Sequence, residues 1–301
     1  MLIDTKFNRC ILCLKSIPLS KEHIFPESIG GRFQARILCT SCNNNRGSNL
    51  FATIKKDMGY LEGLKYLKNE LPDLYKSTEF KYASRASDGN IVYSRTKNGI
   101  HKVQTKKSLD GSIITNKKDA CIIIHGLLSS KGYCVSGIND CVQKYKQLAI
   151  NSEIRIGKEL IVKTKLGPSL VPKPEDDETC KLAVTLIGYE FLALLLRDDI
   201  FDSRLDYLRD FIKTGIQTNK INFAIFGNVI SNYRSRHEIL FNQSNEQLII
   251  TVKFLGASIY KITFTEFIWK IPDIIFIEDI KQKKSFIASI EDAKKGIVDE
   301  I

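Results

Sequence analysis

Two pairs of cysteines near the N-terminus constrain the fold of this 301-residue chain more than any other feature. The first pair lies in CILC (Cys10 and Cys13) and the second in CTSC (Cys39 and Cys42), with 25 residues between them. Two CxxC knuckles offer four thiolates in the tetrahedral arrangement that a closed structural zinc site requires. We therefore expect these residues to bind Zn²⁺ and to hold together a segment that has little else to form a core.

The remaining composition is that of a soluble globular protein. The stretch MLIDTKFNRC has no apolar segment typical of a secretory signal, so we expect a reducing, cytoplasmic location without disulfides. The longest apolar run, residues 182–196, is too short to span a bilayer and contains Glu190. It predicts a buried helix and no membrane partner. Four further cysteines have no ligand-like spacing and are expected to be core residues: Cys121, Cys134, Cys141 and Cys180.

The formal net charge of +11 is concentrated in the first part of the chain. Residues 1–60 hold nine Lys or Arg against four Asp or Glu, and residues 76–120 hold ten against four. Residues 121–301 hold 24 against 23 and are almost neutral. Such a basic excess is typical of polyanion binding, although the solvated surface of any lysine-rich protein gives the same composition.

The pattern of apolar residues predicts an α+β fold in two parts. Leu50 begins a helical stripe that continues to Leu71, and Pro72 is expected to end this helix. We place the domain boundary after this helix. The chain then consists of an N-terminal zinc-stapled domain, residues 1–75, and a larger mixed α+β domain with antiparallel strands, residues 76–301.

Local patterns predict the elements of the larger domain. In chain order they are short strands within 79–116, helices from 118 and from 139, a hairpin from 153, a proline-rich acidic connector at 167–179, a long helix at 180–197 and an amphipathic helix near 203–213. Four β-prone segments follow and predict an antiparallel meander: INFAIF, RHEILFNQ, EQLIITVKFL and SIYKITFTEF.

The residues between and after the knuckles are chemically crowded. In EHIFPESIGG, Glu22 and His23 precede a proline and two glycines, which we expect to end a strand and turn a hairpin. In LCTSCNNNRG, Asn43 directly follows the second knuckle, and Arg46 lies one helical turn later. Together these two segments resemble the HNH endonuclease family, in its subgroup with four zinc-binding cysteines. The resemblance covers residues 8–50, about one seventh of the chain.

The resemblance implies a treble-clef-like ββα-metal site, in which a hairpin carries the acid-His pair and a following helix supplies the next metal ligand. It implies that His23 is the general base and that Glu22 and Asn43 hold a catalytic divalent cation. Phosphodiester hydrolysis needs a deprotonated water and a cation near the leaving oxygen, and a free imidazole is mostly neutral at about pH 7.5. Because two oxygen ligands suit hard cations, we expect Mg²⁺ or Mn²⁺ as the catalytic cofactor.

One position departs from the family pattern. The middle Asn of the motif is missing, and the matching position, nine residues before Asn43, is Gln34. Its side-chain amide could hold His23, or a shortened hairpin could leave this task to the backbone. If the register is shifted by one or two residues, Asn44 or Asn45 replaces Asn43 as the ligand.

The basic residues of the segment have two interpretations. Arg46 could bind a phosphate through its planar guanidinium, or it could be a plain surface cation. Lys21 and Arg32 are less specific candidates for a phosphate contact. The remaining histidines have no partner pattern and receive no role: His101, His125 and His237.

The sequence therefore predicts a metal-dependent HNH endonuclease that hydrolyses phosphodiester bonds in DNA, most simply double-stranded DNA, in a restriction or antiphage system. Residues 76–301 are expected to choose the target, control activity, form a homo-oligomer or bind a partner protein. Two alternatives stay open. One is a zinc-stapled nucleic-acid-binding module without catalysis, and the other is a defence effector or toxin nuclease that is silent until its C-terminal part is triggered.

Overall fold

A computed structural model shows two compact units. It describes residues 7–85, 91–97, 100–103, 105–107, 111–130, 153–156, 161–164, 177–227 and 233–301. The larger unit combines Met1–Tyr75 with Glu175–Ile301, and the smaller unit is Lys76–Pro174. The division into domains 1–75 and 76–301 stays a prediction. In the structure, residues 175–301 form one compact unit with residues 1–75.

The secondary structure alternates short helices and mostly antiparallel strands. The strands are β1 Leu19–His23, β2 Gln34–Cys39, β3 Phe80–Arg85, β4 Ile91–Lys97, β5 Ile100–Val103, β6 Lys106–Lys107, β7 Ile113–Asn116, β8 Glu153–Ile156, β9 Ile161–Thr164, β10 Ile221–Gly227, β11 Arg236–Ser244, β12 Gln247–Phe254, β13 Ser258–Phe264, β14 Ile274–Asp279, β15 Lys284–Ser289 and β16 Asp299–Glu300. The helices are α1 Thr40–Cys42, α2 Ser48–Ile54, α3 Met58–Tyr66, α4 Pro72–Ser77, α5 Lys117–Ser130, α6 Asp177–Leu196, α7 Asp206–Thr214 and α8 Ile290–Lys294. Irregular turns are the 3₁₀ helices Glu27–Ile29, Arg197–Phe201 and Ser203–Leu205 and the π turn Asn43–Gly47.

The larger unit contains the hairpin β1–β2 and a seven-stranded antiparallel sheet. The order of the sheet is β10-β13-β12-β11-β14-β15-β16. Strands β12 and β13 alternate buried and half-buried residues, as expected when one face of a sheet carries most of the core. The predicted α+β fold, with an N-terminal cysteine-rich region followed by antiparallel strands, is confirmed.

Helix α6 joins the hairpin region to this sheet. Residues 183–194 are all buried, because the helix contacts β12 and β13 as well as α2. Gly188 allows the close approach, since a Cβ there would lie 3.1 Å from Ile250 Cγ2. Phe191 packs on the sheet with its ring centroid 4.6 Å from that of Phe276. A helix that is apolar on all sides needs such a central place. Among the described residues, no helix is both long and apolar enough to cross a bilayer.

The loop between β1 and β2 is held by side chains of the sheet. The carboxylate of Glu278 accepts hydrogen bonds from the backbone N–H groups of Arg32, at 2.8 Å, and Phe33, at 3.3 Å. His237 donates from Nε2 to the carbonyl oxygen of Ile29 at 3.0 Å. A carbonyl can only accept, so the proton of this histidine lies on Nε2. These bonds fix the loop from two strands, β11 and β14.

Two glycines shape the same loop. Gly30 has a φ of 101°, which side chains rarely adopt, and a Cβ on Gly31 would overlap the carbonyl oxygen of Phe25. The prediction that the glycine pair turns the hairpin is therefore confirmed.

The smaller unit contains two antiparallel sheets, β3-β4-β5 and β6-β7-β8-β9, and the helix α5. Ala120 and Ile124 of α5 form a core with Ile156 of β8. The predicted helix from 118 and the predicted hairpin from 153 are confirmed as α5 and β8–β9. The helix predicted from 139 lies outside the described residues, as does most of the predicted connector.

The single helix predicted from Leu50 to Leu71 is wrong. Helix α2 ends at Ile54, and Asp57 caps the new helix α3 by accepting from the backbone N–H of Tyr60 at 2.7 Å. Pro72 begins α4 instead of ending a helix, because the first turn of a helix does not use the N–H group that proline lacks.

The predicted meander is wrong in its order. Strands β11, β12 and β13 are consecutive neighbours, but β10 pairs with β13, and β14 pairs with the other side of β11. The sequence interpretation also missed β14. Its residues Ile274–Asp279 are almost all buried, and such a run lacks the alternation that marks a half-exposed strand.

His237 should make the larger unit less stable in acid. Its side chain is completely buried, its Nδ1 has no hydrogen-bond partner, and burial lowers its pKa from 6.5 to about 4. Between these values the unfolded chain binds a proton that the folded chain does not. The free energy of unfolding therefore falls as the pH drops through this window, by about 3 kcal/mol in total.

We expect His237→Gln, which keeps an N–H donor for Ile29, to remove this part of the pH dependence. Urea unfolding curves between pH 4 and pH 7 measure it. His125→Gln, at an exposed position of α5, is the matched control and should retain the wild-type slope. Equal slopes in wild type and His237→Gln would contradict the assignment.

Candidate active site

The four cysteines of the two knuckles meet at one point. Their Sγ atoms all lie within 4.8 Å of one another, with 3.8 Å between those of Cys13 and Cys39, and none forms a disulfide. The backbone N–H of Cys42 donates to Cys39 Sγ at 3.4 Å. A tetrahedral Zn²⁺ with Zn–S bonds of about 2.3 Å holds its sulfurs about 3.8 Å apart, so the cluster fits zinc.

Two thiols of the cluster resist deprotonation in the absence of a cation. Burial raises the pKa of the Cys10 thiol, and burial together with the charge of Cys10 raises the pKa of Cys42. Zinc binds thiolates, so its binding would offset the cost of deprotonating these groups and would contribute directly to folding.

Helix α6 supports the first knuckle. The hydroxyl of Tyr189 donates to the carbonyl oxygen of Ile11 at 2.9 Å, and Arg209 Nη1 donates to that hydroxyl at 3.2 Å. The backbone N–H of Ile11 donates in turn to the carbonyl oxygen of Ile37 at 3.0 Å. The first knuckle, β2 and α6 therefore form one hydrogen-bonded group.

The side chains of Glu22 and His23 lie on opposite faces of the hairpin. In the β1–β2 register, Glu22 lies opposite Ala35 and His23 lies opposite Gln34. Because side chains alternate along a strand, Glu22 is buried while His23 is half-buried on the outer face. Two neighbouring residues thus present different groups to the interior and to the outer face of the hairpin.

Gln34 contacts the imidazole of His23, with 2.7 Å between the two Nε2 atoms. As the amide is placed, its N–H donates to the ring nitrogen, and a 180° rotation would present the amide oxygen to a protonated Nε2 instead. The structure therefore favours the side-chain alternative over a hairpin in which the backbone alone holds the imidazole.

Asn43 lies beside β1 and the carboxylate of Glu22. Its Nδ2 donates to Ser20 Oγ at 3.2 Å and to the carbonyl oxygen of Lys21 at 3.4 Å. Burial raises the pKa of Glu22 to about 7, and the backbone N–H of His23 and the Asn43 amide offset part of this effect. One oxygen of Glu22, Oε2, is buried without a hydrogen-bond partner.

These groups fit a hard divalent cation. The unpartnered oxygen of Glu22 and the side-chain oxygen of Asn43 are donors of the kind that hard cations prefer. The two side chains lie next to each other, and a rotation of the Asn43 amide would let both oxygens face one cation. Asn44 and Asn45 are both exposed, and Asn45 Nδ2 donates to Ser41 Oγ at 3.3 Å. Of the three consecutive asparagines, the structure brings Asn43 to Glu22.

The outer face of the hairpin is basic. Lys21 and Arg36 lie opposite each other in the register, next to the His23–Gln34 pair, and both are exposed. The sequence interpretation missed Arg36. Arg36 lies two residues after Gln34 on β2 and therefore on the same face as Gln34. That this face also carries His23 follows only from the pairing of β1 with β2.

Two further arginines, Arg32 and Arg46, were predicted to contact phosphate. Arg32 is exposed in the loop between β1 and β2. The backbone of Arg46 lies in the turn Asn43–Gly47, and its side chain is outside the described part of the structure.

Comparison with known proteins identifies the N-terminal segment. Residues 10–58 match the family model described as HNH endonuclease, which confirms the resemblance and indicates nuclease activity. The match includes both knuckles and the hairpin, and it ends before α6. No curated protein matches the chain, and no solved structure matches it.

We expect purified protein to contain about one zinc ion per chain, held by the four cysteines. Cys39→Ser should lose the zinc and lower the free energy of unfolding by several kcal/mol, because the energy of zinc binding is folding energy here. Metal analysis and thermal unfolding measure both effects. Cys121→Ser, outside the cluster, is the control and should keep its zinc. A folded, reduced preparation without zinc would exclude the assignment.

Proposed function

Because residues 10–58 match the HNH endonuclease family model, we propose that this protein is a metal-dependent endonuclease that hydrolyses phosphodiester bonds in double-stranded DNA. The position of His23 supports this proposal most strongly. The imidazole is half-buried on the basic outer face of the hairpin and is held by Gln34, and the buried carboxylate of Glu22 is its neighbour in the chain. In this proposal, the base and a cation ligand come from neighbouring positions of one strand.

In this proposal His23 accepts the proton of the attacking water through Nδ1, since Gln34 engages Nε2. The base is then the tautomer with its proton on Nε2, and Gln34 presents its amide oxygen to that proton. This bond orients the ring and stabilises the imidazolium that forms.

Glu22 and Asn43 are the residues that would hold the divalent cation. When bound, Mg²⁺ or Mn²⁺ stabilises the negative charge on the departing 3′ oxygen, which leaves a 5′-phosphate on the product. Lys21 and Arg36, exposed beside His23, bind the phosphates that flank the scissile bond. The net charge of +5 on residues 1–60 favours binding of a polyanion such as DNA.

We place this activity in the cytoplasm, where reduced thiols are free to bind zinc. Restriction or antiphage defence is the proposed setting. Residues 76–174 form a compact unit of their own, and target choice or partner binding is assigned to this unit.

His23→Ala should lower the rate of DNA cleavage by about 10²- to 10⁴-fold in Mg²⁺ or Mn²⁺, because a general base contributes this much to turnover. Supercoiled plasmid is the substrate, and end-labelling of the product detects the 5′-phosphate. Zinc content and DNA affinity should stay near wild type, because the base makes no necessary contact in the ground state.

Three outcomes separate the proposal from its alternatives. Cleavage by His23→Ala at a rate close to wild type would show that another residue is the base. DNA binding by wild type without cleavage in any divalent cation would favour the non-catalytic binding module. Cleavage that begins only after addition of a partner or ligand would favour the triggered effector.

Gln34 should act through the orientation of His23. We expect Gln34→Ala to lower kcat by up to about 100-fold with little change in DNA affinity, because a misplaced base loses the attack geometry. Gln34→Glu keeps an acceptor oxygen and should retain most of the activity. If Gln34→Ala and Gln34→Glu are equally impaired, the amide donates to His23 and the assigned tautomer is wrong.

A further inference from the structure

The two ends of the seven-stranded sheet differ in charge. The end next to the β1–β2 loop consists of residues 233–236, 255–257, 279–284 and 300–301, which hold five Lys or Arg against two Asp or Glu. The opposite end consists of residues 218–220, 244–247, 265–273 and 289–295, which hold four Lys against five Asp or Glu. The almost neutral composition of residues 121–301 therefore includes a basic end of the sheet, and this end lies beside the HNH segment.

Direct contacts join this basic end to the β1–β2 loop. Gly30 packs on Ile280, since a Cβ on the glycine would lie 2.7 Å from Ile280 Cγ2. Two residues later, the backbone N–H of Arg32 donates to Glu278 at 2.8 Å. The backbone N–H of Ile280 donates in turn to the carbonyl oxygen of Ser235 at 2.9 Å. The β1–β2 loop, the β14–β15 turn and the start of β11 are therefore neighbours.

The same loop begins and ends at the proposed base and its partner. His23 is the last residue of β1, Gln34 is the first residue of β2, and the two lie opposite each other. Lys21 and Arg36 lie further from the loop, towards the cysteine cluster at the end of β2. Arg32, which is exposed, lies within the loop on the other side of the pair. Cations thus occur on both sides of His23 along the hairpin.

Two cations of the basic end have no competing partner. Arg234 and Lys283 are exposed, and neither forms an ion pair with an acidic side chain in the part of the chain that the structure describes. Lys281 differs, because its Nζ lies 3.2 Å from Glu70 Oε2. A guanidinium can hold a phosphate through two N–H groups, and an ammonium group binds it as a point charge. Both side chains are therefore available to a polyanion.

We propose that Arg32, Arg234 and Lys283 bind the DNA backbone on the loop side of His23, so that the duplex contacts the end of the sheet as well as the hairpin. This inference rests on DNA as the substrate of the proposed function. It extends the contact surface beyond residues 10–58, which the family model matches. Because phosphate contacts fix the position of a protein on a duplex without reading its sequence, this surface positions the scissile bond and does not select it.

The salt dependence of DNA binding tests this surface. The full-length, zinc-loaded protein is mixed with a fluorescein-labelled DNA duplex without added divalent cation, and fluorescence anisotropy gives the Kd over a range of KCl concentrations. The slope of log affinity against log salt should become shallower by about 2 in the double variant Arg234→Gln/Lys283→Gln, since each phosphate contact contributes about 0.9. Affinity near physiological salt should fall by about tenfold or more. Lys283→Gln alone should change the slope by about 1.

Lys270→Gln/Lys295→Gln is the matched control. Both lysines are exposed at the opposite end of the sheet, and the control loses the same net charge as the test variant. Its slope and affinity should equal those of wild type. Zinc content and Tm should stay near wild type in both double variants, because exposed side chains without partners contribute little to stability.

An unchanged slope in Arg234→Gln/Lys283→Gln would overturn the assignment. Equal losses in the two double variants would also overturn it, because they would show a general effect of net charge. The outcomes further separate this inference from the proposed function. A shallower slope of the test variant, with no cleavage by wild type in any divalent cation, would overturn the proposed catalysis and support this surface. Cleavage by wild type with an unchanged slope of the test variant would overturn this surface alone, and absence of DNA binding by wild type would overturn both.

Discussion

The carboxylate of Glu278 holds two backbone N–H groups of the β1–β2 loop, those of Arg32 and Phe33, from about 245 positions further along the chain. A two-stranded hairpin is marginal on its own, so its geometry depends on such external support. His237 fixes the middle of the same loop at Ile29, and the cysteine cluster fixes the far end of β2. The side chains of Glu22 and His23 are placed because both ends of the hairpin are held.

Much of the site could be predicted from the sequence because its signals are local. The spacing of the cysteines identifies the cluster without knowledge of the fold, and Asn43 is placed by its covalent neighbour Cys42. Gln34 could be proposed as the partner of His23 by counting along the motif, and the two side chains do meet.

The features that the sequence did not reveal depend on contacts between distant segments. Arg36 shares a face with His23 only because β1 and β2 pair in one register. The predicted strand order of the large sheet was wrong for the same reason. Apolar periodicity predicts that a strand exists, but it does not say which edge of a sheet the strand joins.

The larger unit is assembled from two segments that a ribosome makes at different times. The knuckles are synthesised first, and the 99 residues of the smaller unit follow before α6 and the sheet begin. At about 5–20 residues per second, this interval is of the order of ten seconds. A growing chain can therefore collect zinc while it still lacks Glu278, which fixes the loop, and α6, which supports the first knuckle. Under the proposed function, the nascent polypeptide lacks the contacts that hold the catalytic hairpin until β11 and β14 have been translated, and cellular DNA meets the activity only after that point.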